Sequence, residues 1–291
     1  MFFEEVVNPI EFYKDGFFGY GEKGDFTYFS FWHIFPIVLL IAAIILTYIY
    51  RKKLSEFKYE KQVRFVLGCL ILLFEAGYYW RLLYVGSEGV TNTLLTKLPF
   101  QICEWTAIFA ALTLFVENKT LFDIDVFVCL TLGIVPLITP AVITTTGPTY
   151  FRYYQFFGEH LLPIYAVFYM MFVKCYKYDL KTIYKPIIFL VILAIISIIL
   201  NQNIKDANYL YLANDTQGES LANVLPKNMY LKLLIYTGVV FMLFAIEYLV
   251  FRLSFYLANR IRDNKKNNHT FKNPNEINIG DDNNGEGNNR G

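Results

Sequence analysis

The sequence carries almost no net charge, and this argues against one large class of partner. Its 291 residues contain 26 Lys and Arg against 25 Asp and Glu, which gives a formal net charge of +1 at pH 7. Proteins that bind nucleic acid are usually basic, because Lys and Arg neutralise the phosphates. We therefore expect no nucleic-acid partner.

Cysteine is also scarce, and its spacing does not suit a metal site. No two of the four cysteines have the separation typical of zinc ligands, so the sequence predicts no metal site and no other cofactor. A free cysteine in apolar surroundings usually packs as a small apolar residue. That interpretation suits Cys69, Cys129 and Cys175, whereas Cys103 has polar neighbours.

The chain lacks the period-2 alternation of barrel strands and the basic-then-apolar start of a cleaved signal peptide. Instead, 55% of its residues are hydrophobic and 19% are aromatic. The apolar residues fall into seven segments of roughly 19 to 24 residues, the length of a membrane-spanning helix. These segments are 32–50, 65–85, 98–116, 122–141, 155–175, 183–201 and 229–252. The sequence therefore predicts an all-α, polytopic membrane helical bundle with seven transmembrane helices.

Lys and Arg predict the orientation of this bundle, because they concentrate in cytoplasmic loops. They are frequent after the first, fifth and seventh segments, the short loop after the third holds Lys119, and they are sparser on the opposite side. This pattern indicates an N-out/C-in, multi-pass protein of the cell membrane. We expect an external N-terminal segment (1–30), a membrane domain (31–255) and a disordered polar cytoplasmic tail (256–291).

Polar residues gather in the predicted outer half of the bundle, and two of them suggest chemistry. Cys103 and His160 each lie five residues into a segment that enters from outside, a depth of about 8 Å. A histidine can remove the proton from a thiol, and the thiolate can then attack an acyl carbonyl. Ionisable residues inside a membrane are costly and usually functional. We predict that Cys103 and His160 are the catalytic pair.

Five further polar residues are predicted to bind substrate in the same outer half. Arg81 suits a lipid phosphate, because arginine presents paired donors, and Lys97 or Arg152 could share that role. Glu75 or Glu159 could orient the imidazole. Asn208, Tyr209 or the threonines at 144–146 could bind an oxyanion or a headgroup. The predicted substrate-binding residues are Glu75, Arg81, Gln155, Asn208 and Tyr209.

Four short motifs carry a resemblance to a known family. They are LPFQIC at 98–103, LITP at 137–140, RYYQFFGEH at 152–160 and NYLYL at 208–212. Over about residues 30 to 252 the chain resembles the YwaF-like family of bacterial integral membrane proteins. That family is similar to the vertebrate transmembrane acyltransferase of ether phospholipids, which forms a cysteine acyl-enzyme. The resemblance implies a nucleophile at Cys103 with His160 as its partner.

The leading functional hypothesis is a cysteine-dependent acyltransferase that acts on ether or lysophospholipids through a thioester. Its partners would be membrane lipids, with a lipid or a thioester as the acyl donor. A related acyl hydrolase and, from another class, a small-molecule transporter or its substrate-binding component stay open. A seven-helix photoreceptor can be set aside, because no lysine lies in the middle of the last segment, between 233 and 251.

Overall fold

The computed structural model describes residues 16–18, 26–85, 98–140, 147–205, 207–212, 226 and 228–272. Over these ranges the regular structure is helical, and they contain no strand. The α-helices are α1 (Phe31–Ser55), α2 (Glu60–Val85), α3 (Ile102–Val116), α4 (Lys119–Thr131), α5 (Val135–Ile138), α6 (Phe151–Phe172), α7 (Tyr184–Asn203) and α8 (Met229–Lys272). The predicted all-α fold is confirmed.

Five helical stretches are long and apolar enough to cross a membrane. They are Phe31–Ser55, Glu60–Tyr79, Lys119–Ile138, Leu180–Asn203 and Met229–Ser254. Two other predicted segments also contain helices, but α3 has only 15 residues and α6, although 22 residues long, carries several charged and polar side chains. The count of seven spans and their orientation stay predictions.

Helix α6 packs against α1, α2, α3 and α4 and supplies much of the core. Thirteen of its residues are buried, including charged ones. By contrast, large apolar side chains on α1, α7 and α8, such as Leu39, Ile195 and Leu234, are more than half exposed. Such side chains suit contact with lipid tails, whereas α6 can hold polar groups because protein surrounds it.

The start of α1 is fixed by a histidine that has a purely structural arrangement. The backbone N–H of Phe29 donates to His33 Nδ1 (3.0 Å), and His33 Nε2 lies 2.7 Å from the carbonyl oxygen of Leu137. Since Nδ1 accepts, Nε2 carries the proton and donates to Leu137. Tyr153 also donates its hydroxyl to the carbonyl of Trp32 (2.6 Å). These bonds tie α1 to α5 and α6.

Helices α2 and α6 approach each other closely at a glycine. A Cβ placed on Gly158 would lie 2.5 Å from Cγ of Phe74, which is far inside van der Waals contact. Only a residue without a side chain fits there unless Phe74 moves. This close packing holds the polar residues of α6 against those of α2.

The chain divides into two compact units, Met1–Phe244 and Ala245–Gly291. Helix α8 continues to Lys272, so residues 256–272 are helical where a disordered tail was predicted. This stretch still contains good helix formers such as Leu257, Arg260 and Lys265, which explains why the helix does not stop at the last apolar residue. Residues 273–291 and most of the predicted external segment lie outside the described residues.

Candidate functional site

Cys103 and His160 lie together, the first in the opening turn of α3 and the second on α6. Cys103 Sγ, a ring nitrogen of His160 and a carboxylate oxygen of Glu159 all lie within 4.8 Å of one another. Cys103 is half-buried, whereas Glu159 and His160 are buried. The structure therefore brings together the two residues predicted as a catalytic pair, and their catalytic use stays a prediction.

The imidazole of His160 is held in one tautomer. Its Nδ1 lies 2.8 Å from the carbonyl oxygen of Phe156, one turn earlier on α6. A carbonyl oxygen can only accept, so Nδ1 carries the proton and Nε2 keeps a free lone pair. Glu75 or Glu159 was predicted for this orienting role. The hydrogen bond at Nδ1 goes to a backbone carbonyl, while Glu159 interacts electrostatically with the imidazole.

A chain of polar contacts on α6 fixes Glu159. Gln155 is fully buried, and its Nε2 donates to Glu159 (2.6 Å) and to the carbonyl oxygen of Phe74 on α2 (3.1 Å). Arg152 donates to the Oε1 of Gln155 and lies 3.8 Å from Glu159. Its guanidinium also lies over the ring of Tyr78, 5.1 Å from the centroid. One carboxylate oxygen of Glu159 is thus held by Gln155.

Acidic side chains gather around the thiol. Glu75, Glu104 and Glu159 are all buried and are the carboxylates that interact electrostatically with Cys103. Arg152 is the cation among the groups that interact with Glu75. Neither carboxylate oxygen of Glu75 accepts a hydrogen bond within the part of the chain that the structure describes. Among the described residues, Arg152 is thus the arginine that interacts with this group of three buried acidic side chains.

The opening turn of α3, which carries Cys103, is capped from both sides. Gln101 is the N-cap residue, and its backbone N–H donates to Glu104 Oε2 (2.9 Å) in a capping box. Tyr79 on α2 donates to the other oxygen of Glu104 (3.1 Å). These bonds fix the start of the helix and hence the direction in which Cys103 leaves it.

The segment 207–212, which carries Asn208 and Tyr209, is held against the start of α3 and the end of α7. Tyr209 exchanges two backbone bonds with the side chain of Asn201 (2.7 and 3.0 Å). The side chain of Gln101 accepts from the N–H of Leu210 (3.0 Å) and donates to the carbonyl of Asn208 (3.3 Å). The predicted binding residues Asn208 and Tyr209 thus lie near Cys103, although the bonds shown here are structural.

Two consecutive residues in this segment have left-handed backbone conformations. Leu210 has φ 54° and Tyr211 has φ 55°, which costs of order 1 kcal/mol or more for each non-glycine residue. Such strain persists where the surroundings fix it, often at functional sites. Burial and the neighbouring Cys103 thiol raise the pKa of Tyr211 above its ordinary value. Tyr211 therefore keeps its proton, and its side chain, which is 40% exposed, interacts electrostatically with the thiol.

Several of the residues predicted to bind substrate have side chains outside the described residues, and one of them is more buried than predicted. Arg81 lies in α2, but its side chain falls outside the described residues, as do Lys97 and the threonines at 144–146. Arg152, expected at the external surface, is only 6% exposed.

Tyr78, Tyr79 and Tyr211 were not among the residues predicted from the sequence to form the site. Helical spacing offered a signal for α2 and α6. Residues 75, 78 and 79 share one face of α2, and residues 152, 155 and 159 share one face of α6.

Comparison with known proteins identifies the chain's relatives at the level of a family. A family model described as the TMEM164 family matches residues 28–248, which is most of the chain and includes every described part of the site. No curated protein and no solved structure gives a significant match. The narrower resemblance to the YwaF-like bacterial family stays a prediction. Together with the apolar helices, the match makes this a multi-pass membrane protein.

Proposed function

The chain belongs to the TMEM164 family, and we propose that it is a membrane acyltransferase that carries the acyl group on Cys103. The proximity of the Cys103 thiol to an imidazole nitrogen is the observation that supports this most directly, since the atoms lie within 4.8 Å. The Nδ1 bond to Phe156 supports it further, because the remaining lone pair of His160 is the one a general base needs.

In the first half-reaction, His160 Nε2 takes the proton of the Cys103 thiol as sulfur attacks the carbonyl carbon of an acyl ester. A neutral thiol is a weak nucleophile, so proton transfer to His160 accompanies attack. The ester C–O bond then breaks, and His160 returns the proton to the departing alkoxide. The products are a Cys103 thioester and a free alcohol.

The second half-reaction runs the same steps with a new hydroxyl. His160 Nε2 removes the proton of the acceptor hydroxyl, and the oxygen attacks the thioester carbonyl. The C–S bond breaks, and sulfur recovers its proton from His160. With water as the acceptor the same site would be a hydrolase. A buried site favours transfer, because it restricts the access of water.

Lipids are the substrates that a site within apolar helices meets most directly. We propose ether or lysophospholipids as acceptors and a lipid or thioester as donor, in a seven-span protein of the cell membrane with its N-terminus outside. Tyr211, whose neutral side chain interacts electrostatically with the thiol, is proposed to donate to the developing oxyanion. Arg81 stays a candidate for phosphate binding.

The decisive experiment traps the thioester. The full-length protein in lipid nanodiscs is incubated with a phospholipid whose acyl chain carries an alkyne, and the modified residue is identified by mass spectrometry. We expect a hydroxylamine-sensitive acyl group on Cys103. Cys103→Ser should abolish the thioester, and His160→Gln should slow its formation by about 100-fold or more, the usual worth of a positioned base.

A matched control is Cys69→Ser, because Cys69 is an exposed thiol on α2. It should label as the unchanged protein does. An acyl group found on Cys129, or labelling that persists without Cys103, would contradict the proposal. The transporter alternative predicts instead that uptake of a small molecule depends on the protein but not on the Cys103 thiol.

A further inference from the structure

We propose that Cys103, Glu159 and His160 form a zinc site and that Zn²⁺ bound there is a reversible inhibitor of the acyl chemistry. Sulfur, imidazole nitrogen and carboxylate oxygen are the three donor types that zinc uses in proteins. The three side chains place one such atom each within 4.8 Å of the others. The sequence predicted no metal site, because cysteine spacing alone carried no such signal.

The distances suit the ion after a small contraction. Zinc lies about 2.3 Å from sulfur and about 2.0–2.2 Å from nitrogen or oxygen, so tetrahedral ligand atoms are roughly 3.3–3.7 Å apart. The side chains need to close by roughly 1 Å, which changes in side-chain torsion can supply. Three protein ligands leave a fourth position for water or another small ligand.

The groups behind these ligands match what zinc sites require. A zinc-bound imidazole usually donates its other N–H to a carbonyl or carboxylate, and His160 Nδ1 already lies on the carbonyl oxygen of Phe156. Ligating carboxylates are themselves held by hydrogen bonds, and Gln155 donates to Glu159. The free ring nitrogen and the other carboxylate oxygen remain for the metal.

Charge gives an independent reason for a cation here. Glu75 is only 7% exposed, and neither of its oxygens accepts a hydrogen bond from the described residues. With Glu104 and Glu159 it forms a buried acidic cluster served by Arg152. Burial without a partner disfavours the charged form of a carboxyl group, and a divalent cation would favour that form. Glu75 interacts with the cluster without being one of the three ligands.

Binding and catalysis exclude each other at these atoms. When Zn²⁺ binds, the S–Zn bond forms, the S–H bond breaks and the proton passes to the buffer. The sulfur can then no longer attack a carbonyl, and the Nε2 lone pair of His160 is occupied by the metal. The inhibition rests on the proposed acyl-transfer function, but zinc binding itself does not.

The test uses the full-length, untagged protein in nanodiscs and Cd²⁺ alone as a spectroscopic probe of thiolate ligation. We expect one Cd²⁺ per chain with thiolate-to-metal charge-transfer absorption in the ultraviolet, reversed by a chelator and competed by Zn²⁺. Cys103→Ser should remove the absorption. Loss of a residue that hydrogen-bonds to a metal ligand weakens metal binding by roughly 10–100-fold. Because Glu159 is proposed as a ligand itself, Glu159→Gln should weaken Cd²⁺ binding by at least that factor.

Cys69→Ser is the matched control and should keep both the absorption and the affinity. Thermal melting of each metal-free variant checks folding, and if Cys103→Ser does not fold, Glu159→Gln decides the result. Absorption that survives Cys103→Ser, or an unchanged affinity in folded Glu159→Gln, overturns the zinc site. Thioester formation by metal-free protein is measured separately. If the protein forms the thioester but does not bind the metal, the zinc site is wrong and the proposed function is kept. If it binds the metal but forms no thioester, the proposed function is wrong and the zinc site is kept.

Discussion

The two ends of the core formed by α2, α3 and α6 differ in how their buried charged side chains are paired. At the end where α2 begins and α3 finishes, Arg64 is 2% exposed, and its guanidinium bonds to Glu60 (2.7 Å), Glu117 (2.6 Å) and the carbonyl of Leu114 (2.6 Å). At the other end, the buried Glu75 accepts no hydrogen bond from the described residues. Pairing of buried charges serves the fold, whereas an acidic side chain without a hydrogen bond from the described residues, beside a thiol and an imidazole, is the feature on which the proposed site rests.

The paired end also explains an unusual helix terminus. Glu117 follows α3 with φ 52°, a left-handed conformation that glycine usually adopts at this position. Its carboxylate bonds to Arg64 and lies 3.0 Å from Lys174 Nζ, while its carbonyl accepts from the hydroxyl of Tyr176. These contacts offset a conformational cost of roughly 1–2 kcal/mol. A glycine would be relaxed there but would lose both ion pairs.

Removing Arg64 should give the largest effect, because it breaks the paired end outright. In Arg64→Met the carboxylate of Glu60 stays buried without its arginine, and the last carbonyls of α3 lose a donor. Removing one partner of a buried ion pair costs about 3–5 kcal/mol. We expect a large fall in the melting temperature, measured by thermal unfolding in detergent.

The control for this prediction is Lys61→Met, which removes an exposed cation from the same turn of α2. It should change the melting temperature little, because exposed charges contribute about 0–1 kcal/mol. Equal melting temperatures for Arg64→Met and Lys61→Met would mean that the Arg64 contacts do not hold this end of the core together.

The same substitution at two positions of α2 should have opposite effects on stability. Glu60 accepts from Arg64 (2.7 Å) and from the Tyr169 hydroxyl (3.3 Å), so Glu60→Gln weakens charged hydrogen bonds and should cost about 1–3 kcal/mol. Glu75→Gln replaces a buried carboxyl group that accepts no hydrogen bond from the described residues. It should leave stability unchanged or raise it by about 1 kcal/mol. Thermal unfolding of the two variants side by side provides the measurement.

A destabilised Glu75→Gln would contradict this contrast, because it would show that the carboxylate is paired as firmly as that of Glu60. A neutral or stabilising result would show that Glu75 is retained at a cost to the fold. Its charge would then have a use other than stability, as a cation site requires.

Much of the fold and the proximity of Cys103 to His160 could be predicted from the sequence. The arrangement of the charged groups around this pair could not. Hydropathy is a property of each segment, so the helices followed from composition. The buried pair of Arg64 and Glu60 shows that charged groups are not confined to the half of the bundle that was predicted to be polar. The contact between Cys103 and His160 was predicted from shared depth in two segments. By contrast, the bond that holds His160 comes from a backbone carbonyl, which no side-chain pattern reveals. Glu75 accepts no hydrogen bond from the described residues, which depends on how the helices pack. The spacing of residues along one helix does not predict this.

The smallest expected effect is the pH dependence of the paired end. Burial alone would raise the pKa of Glu117, but the hydrogen bond from Lys174 and the charge of Arg64 lower it below its ordinary value of 4.5. A carboxyl whose pKa is lowered in the folded state stabilises the fold above its unfolded pKa, and this stabilisation is lost as pH falls through the folded value. Because the side chain is 39% exposed, solvent screens the interaction, and we expect less than about 1 kcal/mol.

Glu117→Gln should therefore melt slightly below the unchanged protein at about pH 6, and the difference should vanish as the pH falls well below the ordinary pKa of Glu117. The exposed Glu56→Gln serves as the control and should show no such convergence. Equal melting temperatures at every pH would assign the role of Glu117 to its left-handed backbone and its carbonyl bond to Tyr176 rather than to its charge. The paired end would then depend on Arg64 and Glu60 for its electrostatic stability, and its contrast with the Cys103 end would rest on those two residues.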